Sequence, residues 1–531
     1  MKKPNILLIT TDQQRYDTIH AAGFDHIYTP NLDRLAHEGC LFTNAYSPNP
    51  VCIPARHNIL SGLPAKYHTF DDNYFDDSHQ MPFDIPAFPT ILANGGYDTV
   101  AIGKMHFQPC KRHNGFNRMD NMEEIPVFMQ DDDYAMFLKA NGIDRFSSFH
   151  GVRHLLYMLP QQAYIPTKYH GTTWVADKTI EAIKANAGER PFMIWTSFIE
   201  PHPPFDVPKE WAHLYDFVEL PKGYASLTPI SALAEENKHI ADYPDEDYLR
   251  RAKQLYHAAI SFVDDNIGRI IDCLENEGLL DDTLIIFTSD HGEMLGDNET
   301  FQKFLPYDGS SKIPFIVRYP KLVRSNTIDE RLIDLNDLLP TFLDVAKLNY
   351  PKAIELPGES VFTFNGKKDR EYQYIEHNKG NKRWISLRNK RYKYNYYYGG
   401  GHEELFDLVN DKQERINLLF NDQDEKLLAI KQQLRAKLVQ YEKRWGFDGG
   451  VVNNDFVCLP EYLAKPYRET NFPHHVQYLS QTEQAHLIGM IKEIKLAIKD
   501  EPVVKLKDLD IDTFKKYGHF SEQDLSELLD E

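Results

Sequence analysis

The chain has no long apolar run. Its first apolar stretch, Ile6 to Ile9, is too short for the core of a secretory leader, and no later stretch approaches a bilayer span. The expectation is a cytoplasmic protein with no membrane association. Cysteine is scarce: Cys40, Cys52, Cys110, Cys273 and Cys458 are odd in number, scattered, and form no Cys-x-x-Cys pair. That excludes a disulfide framework and a zinc cluster, and leaves each cysteine as a small buried apolar residue unless its neighbours say otherwise. Positive charge is in deficit. With 59 Lys+Arg against 79 Asp+Glu the net charge is −20, which excludes a general nucleic-acid surface, since that needs clustered cations to displace phosphate counterions. A local basic pocket for a small anion stays open. Internal repeats and low-complexity tracts are also missing, and a composition 42% hydrophobic and 12% aromatic supplies a large packed core rather than disorder.

What is present is an alternation of short β-rich runs and longer amphipathic stretches. Residues 5–10, 99–103, 192–197 and 284–289 read as strands, and 31–38, 174–187, 248–277 and 335–346 as helices. Such alternation predicts an α/β fold, a large and mostly parallel sheet sandwiched by helices. From about residue 371 the period changes. Segments 372–376, 383–388 and 392–398 alternate like antiparallel strands with a turn at Asn389-Lys390, 404–408 follows, and a charged amphipathic helix covers 423–444. The expected division is a large α/β domain at 1–370, a smaller α+β subdomain with an antiparallel sheet at 371–445, and an extension at 446–531 that packs on the body or on a neighbouring subunit of a homo-oligomer.

In an open parallel sheet, ligands bind beyond the carboxyl ends of the strands. Thr11-Asp12-Gln13 follows the first predicted strand, Lys104-Met105-His106 the second, Glu200-Pro201-His202 the third and Asp290-His291-Gly292-Glu293 the fourth. Every exit carries a carboxylate, a lysine or a histidine, so the four converge on one site. Asp12, Asp290 and His291 offer hard, mainly oxygen ligation suited to Ca2+, with Mg2+ or Mn2+ as alternatives, and few soft ligands for zinc.

One segment is sharper than the rest: Pro50-Val51-Cys52-Ile53-Pro54-Ala55-Arg56, with Leu60-Ser61-Gly62 behind it. It resembles the Cys-x-Pro-x-Arg signature of the sulfatase family, in the alkaline-phosphatase superfamily. Asn5-Ile6-Leu7 through Asp12, Thr29-Pro30-Asn31-Leu32-Asp33-Arg34-Leu35, Gly103-Lys104-Met105-His106, Thr288-Ser289-Asp290-His291-Gly292-Glu293, Lys303 and Pro314-Phe315-Ile316-Val317-Arg318 resemble that family's other segments, in family order, over residues 4–419. The resemblance implies a sulfuric ester hydrolase acting on a small anionic sulfate ester. It implies that Cys52 is converted to formylglycine by a formylglycine-generating or anaerobic sulfatase-maturing enzyme. It also implies one divalent cation held by Asp12, Asp290, His291 and the oxygen of residue 52. In the implied mechanism one hydroxyl of the hydrated aldehyde, near Arg56, attacks sulfur. The alcohol leaves with a proton from His202 or Lys303, Lys104 and Lys303 clamp the sulfuryl oxygens, and His106 takes the second hydroxyl's proton as sulfate is expelled. One departure is that Gln13 stands where many members carry a second Asp, so the metal's coordination is left open.

Weaker features are weighed against ordinary structure. His202, between prolines, reads either as proton donor or as a loop histidine. Asn73, in Asp71-Asp72-Asn73, resembles a substrate-side residue and reads equally as a loop cap. The loop from Glu376 through His377 to Arg383 either leans over the pocket, with His377 touching the leaving group, or is a solvated hairpin. The tyrosine-rich run 392–398 reads as a strand. Three functions remain. The first is a sulfatase acting on a sulfated sugar or small metabolite, choline sulfate included, with a sulfated mono- or short oligosaccharide preferred because no aromatic cage for a quaternary ammonium is legible. The second is a phosphonate monoester or phosphodiester hydrolase using the same formylglycine. The Lys104/His106 pair favours the first, because phosphonate-active relatives place Tyr and Thr there. The third, a non-catalytic binding protein, is disfavoured because every expected catalytic position is filled.

Overall fold

The computed structural model describes residues 3–503, except 75–76, 125, 127, 144–145, 147, 153–159, 239–245, 363–368, 421–423 and 465–492. The strands of the main sheet are β1 (Asn5–Thr11), β2 (Cys40–Tyr46), β3 (Asp98–Gly103), β4 (Arg118–Asn121), β5 (Phe192–Ser197), β6 (Thr283–Ser289), β7 (Lys312–Ile313), β8 (Phe315–Arg318) and β9 (Thr327–Asp334). Their order is β4-β3-β5-β1-β6-β8-β2-β7, with β9 on β2. β4, β3, β5, β1 and β6 run parallel, while β8 is antiparallel to both β6 and β2.

The period-2 pleat explains why the central strands read as continuous apolar runs. Ile6 and Leu8 of β1, Met193 and Trp195 of β5, and Leu284 and Ile286 of β6 face one core, with the helices Cys52–Ser61, Phe88–Asn94 and Leu338–Ala346. Leu7 and Ile9, Phe192 and Ile194, and Ile285 and Phe287 face the other, with Pro30–Glu38, Gly171–Asn186 and Glu246–Asn276. Both faces are therefore covered, as a parallel sheet requires.

A second sheet, β10 (Gln373–His377), β11 (Trp384–Arg388), β12 (Tyr392–Tyr397) and β13 (Glu403–Asp407), is wholly antiparallel. One face is covered by the helix Glu425–Trp445, whose Leu434, Leu438 and Val439 pack on Ile385, Tyr394 and Leu405. The other face seats Ile375, Trp384 and Tyr397 on Tyr46 and Leu332 of the main body. The tyrosine run is thus a strand in a core. The short hairpin β14 (Val451–Val452) with β15 (Asp455–Phe456) follows. Residues 493–503 lie on the body, where Glu501 takes Arg251 in a buried ion pair at 2.7 Å. The rest of the expected extension, 465–492 and 504–531, lies outside the described residues.

Two expectations fail locally. Cys40 and Cys273 are buried, but Cys110 is partly exposed and Cys458 exposed, because they sit in a turn and after a surface hairpin rather than on a core face. The loop from Glu376 to Arg383 is not a solvated hairpin at its ends. Arg383 is buried and pairs with Glu376 at 2.8 Å and Glu442 at 2.9 Å.

The register puts the carboxyl ends of the central strands level: Thr10 lies opposite Ser197, Thr11 opposite Ser289, and Gly103 opposite Ser197. Gly103 has φ +91, and a Cβ there would lie 2.0 Å from the Ser197 carbonyl oxygen. Only glycine turns the chain inward so close to β5. Gly103→Ala is expected to destabilise the fold by about 2 kcal/mol or more, read as a lowered denaturant midpoint at unchanged slope.

Candidate active site

Four side chains from two strand exits and one helix start share a buried point. The ligand atoms of Asp12, Cys52, Asp290 and His291 all lie within 4.8 Å of one another. Cys52 opens the fully buried helix Cys52–Ser61, whose first N–H groups make that end favourable for negative charge. Its Sγ is 3.2 Å from His291 Nε2 and 3.8 Å from Asp12 Oδ1.

The donor set fits a hard divalent cation. His291 Nδ1 lies 3.0 Å from the Gly292 carbonyl oxygen, which accepts only if that nitrogen carries the proton. Nε2 then turns its lone pair toward the point it shares with Asp12 Oδ1, 3.7 Å away, and Asp290 Oδ1, 3.6 Å away. Burial, with Lys303 close by, holds this imidazole well below its usual range, so it is neutral. Burial also opposes charge on Asp12, but the cations Lys104, Lys303 and Arg56 outweigh it and hold the carboxyl well below the usual carboxylate range. Burial and the charge of Asp12 push Asp290 up despite Arg56. Two carboxylates converging in a dry site leave a need for positive charge between them, and a cation there answers it.

Arg56 aligns the pair. It is fully buried, donating from Nε to Asp290 Oδ2 and from Nη2 to Asp12 Oδ2, both at 3.1 Å, and from Nη1 to Ser197 Oγ at 2.8 Å and the Lys104 carbonyl oxygen. The planar guanidinium fixes the two carboxylates relative to β3 and β5.

Facing this cluster is a row of bases. Lys303 Nζ donates to Cys52 Sγ at 3.0 Å, to Gln13 Oε1 at 2.8 Å and to His202 Nε2 at 3.0 Å. His202 Nδ1 donates to the Pro203 carbonyl oxygen at 2.7 Å, so Nε2 is the acceptor. Lys104 Nζ pairs with Asp12 and with Glu124. His106 is buried with φ +52, its N–H donating to Glu123 Oε1 at 2.9 Å. Burial and Lys104 hold His106 well below its usual range, and burial, against the pull of Glu124, does the same for His202. Both are neutral bases.

The sulfatase family model matches residues 4–348. The chain belongs to the sulfatase family. It is therefore a sulfuric ester hydrolase within the alkaline-phosphatase superfamily, and a second family model, N-sulphoglucosamine sulphohydrolase C-terminal, matches residues 296–444. The sulfatase is 30% identical over 471 residues to an arylsulfatase of Clostridium perfringens, covering 84% of this chain and 96% of that one. It is 28% identical to a choline-sulfatase of Rhizobium meliloti, covering 82% and 86%. Its fold superposes on the phosphonate monoester hydrolase of Agrobacterium radiobacter with a TM-score of 0.70 at 23% identity, over 83% and 96% of the two chains. Among the described residues no helix is long and apolar enough to cross a membrane.

Around the sulfatase's core cluster, the two residues expected on the substrate side are placed differently. Asn73 Oδ1 accepts from the Ile53 N–H at 3.0 Å, at the start of the Cys52 helix, which is the capping role. His377 is buried between Phe304 and Trp384, with Nδ1 3.2 Å from Asn49 Oδ1, and burial lowers it to about 3. It packs behind Lys303-Phe304. Sequence reasoning missed Glu123, Glu124 and Ser197. The two glutamates follow β4, a fifth parallel strand exit, but β4 reads Arg-Met-Asp-Asn and carries almost no apolar signal. Gln13, with φ +68, spends its amide on Lys303 and Glu293 and so braces the lysine.

Proposed function

We propose that the enzyme hydrolyses an organic sulfate monoester to an alcohol and inorganic sulfate, with Cys52 matured to formylglycine as the nucleophile. The observation that carries this reading is the placement of Cys52, with Lys303, His291 and Asp12 within 3.8 Å of its sulfur. As a thiol the group is pushed up to about 11 by burial and by Asp12, so it stays protonated and weakly nucleophilic at neutral pH. Maturation by a formylglycine-generating or anaerobic maturing enzyme puts oxygen at that point. A Ca2+ ion, or Mg2+ or Mn2+, held by Asp12, Asp290, His291 and residue 52 supplies Lewis acidity and charge neutralisation when bound.

The chain's own residues do the rest. Arg56 holds the two carboxylates so that residue 52 keeps one orientation. Lys104 and Lys303 are fixed positive groups for the sulfuryl oxygens, dry and preorganised. Lys303, hydrogen-bonded to His202 Nε2, keeps a proton beside residue 52, and that proton goes to the departing alcohol oxygen. His106, neutral and buried, accepts a proton in the later half of the cycle. A sulfated mono- or short oligosaccharide is preferred to choline sulfate, because no aromatic cage for a quaternary ammonium is legible in the sequence.

A phosphonate monoester or phosphodiester activity is the competing reading, and the fold alone accommodates it. Lys104 and His106 in the site argue against it. With nitrophenyl sulfate and a matched phenylphosphonate ester, kcat/KM is expected to favour the sulfate by at least about tenfold, as differential transition-state binding. A preference for the phosphonate overturns the reading.

A further inference from the structure

Nearly every group assigned above to the substrate side is a cation or a neutral base. Glu124 is the exception. Its Oε2 pairs with Lys104 Nζ and lies 3.7 Å from His106 Nε2, while its Oε1 lies 3.5 Å from His202 Nε2, itself 3.0 Å from Lys303 Nζ. The residue is 4% exposed. Its neighbour Glu123 turns the other way and accepts the backbone N–H groups of Met105 and His106. The loop after β4 thus spends one carboxylate on holding the backbone and aims the next at Lys104, His106 and His202, with Lys303 one hydrogen bond further on. A buried carboxylate against a bound anion is costly unless it serves discrimination.

We infer that Glu124 is a charge filter that admits a singly charged ester and rejects a doubly charged one. This rests on the sulfatase reading. A sulfate monoester carries one negative charge. A phosphate monoester carries two at neutral pH, as does the inorganic sulfate that must leave after reaction. Each negative charge in the pocket is repelled by Glu124, and Lys104 already spends part of its field on Glu124 and Asp12. The second charge of a dianion therefore finds no unspent partner. The carboxylate disfavours phosphate esters and speeds product departure. At the effective dielectric of protein sites, one extra unit charge about 4 Å from a carboxylate is worth on the order of a thousandfold in affinity, and less once Lys104 screens it.

The test compares matured, metal-loaded wild type with Glu124→Gln and Glu124→Asp, all checked for thermal melting and metal content. The probes are nitrophenyl sulfate, nitrophenyl phosphate and, as inhibitors, inorganic phosphate and sulfate. In Glu124→Gln the sulfate-to-phosphate ratio of kcat/KM is expected to fall at least about tenfold, and both inorganic dianions to inhibit at least about tenfold more tightly. Glu124→Asp, which keeps the charge, retains the wild-type ratio. A folded, loaded Glu124→Gln with an unchanged ratio and unchanged inhibition overturns the inference. So does a Glu124→Asp that behaves like the glutamine variant, since a merely structural role depends on side-chain length and not charge. Should wild type prefer phosphonate esters, the sulfatase reading fails by itself. The filter is then judged on phosphate inhibition alone, which must still tighten in Glu124→Gln.

Discussion

Cys52→Ala protein will fold, melt close to the parent temperature and turn over no sulfate ester. The Cys52 side chain is buried, but its Sγ contacts are polar ones to Lys303 and His291. Removing it leaves Lys303 with Gln13 and His202 and His291 with its bond to Gly292. No charge is stranded, and the expected stability change is within about 1 kcal/mol. Activity is another matter. Loss of a covalent nucleophile costs on the order of 10^6 in kcat where it has been isolated from its partners, and here no neighbouring side chain in the cluster stands in for it. Protein expressed without a maturing enzyme should be as inactive as the alanine variant, and co-expression should restore activity together with an aldehyde on the peptide containing residue 52. Peptide mass spectrometry and turnover on the same preparations check both. An active preparation carrying only the thiol sinks the mechanism.

Legibility followed buried area. β1, β5 and β6 are buried on both faces, so their middles are unbroken apolar runs that close on Thr or Ser, and their ends were readable to within about a residue. β9 was not readable because Thr327-Ile328-Asp329-Glu330-Arg331 alternates between half-buried and exposed positions at the sheet margin. There strand pairing, not composition, makes the strand. The same contrast divides the site. Asp12, Lys104 and Asp290 directly follow apolar strands, so the chain pattern announces them. The bonds from Arg56 to Asp12 and Asp290 span 44 and 234 positions in the chain, and no local pattern encodes them. Glu124 shows the limit most clearly. Its strand is short and polar, so its exit was invisible although it is as close to the bases as His202 is. Asn73 shows a different limit, because an amide near a helix start caps it or binds a ligand with the same residue type.

Asp290→Ala is expected to lose activity by roughly a thousandfold or more and to lose the metal with it. Asp290 Oδ1 accepts from the backbone N–H groups of Gln13 at 3.1 Å and His291 at 2.9 Å, while Oδ2 takes Arg56. The carboxylate therefore ties β1, β6 and the Cys52 helix together. Substitution removes one of the two anionic ligands, and several kcal/mol of charge stabilisation goes with the ion. It also leaves Arg56, wholly buried, with Asp12 as its remaining carboxylate, so a stability loss of about 3 kcal/mol is expected on top. The two effects separate experimentally. In wild type, chelation should abolish turnover, and Ca2+ or Mg2+ should restore it fully. In Asp290→Ala, melting should fall and excess Ca2+ should restore little, because the ligand itself is missing. Asp290→Asn keeps the shape and most of the hydrogen bonds. It should therefore recover much of the melting temperature while remaining nearly inactive, and that split assigns the catalytic loss to charge rather than to folding. Elemental analysis of the wild type should find one hard divalent ion per chain. Full activity after chelation, or stoichiometric zinc in the active enzyme, would contradict a site made of two carboxylates and one imidazole around an oxygen nucleophile.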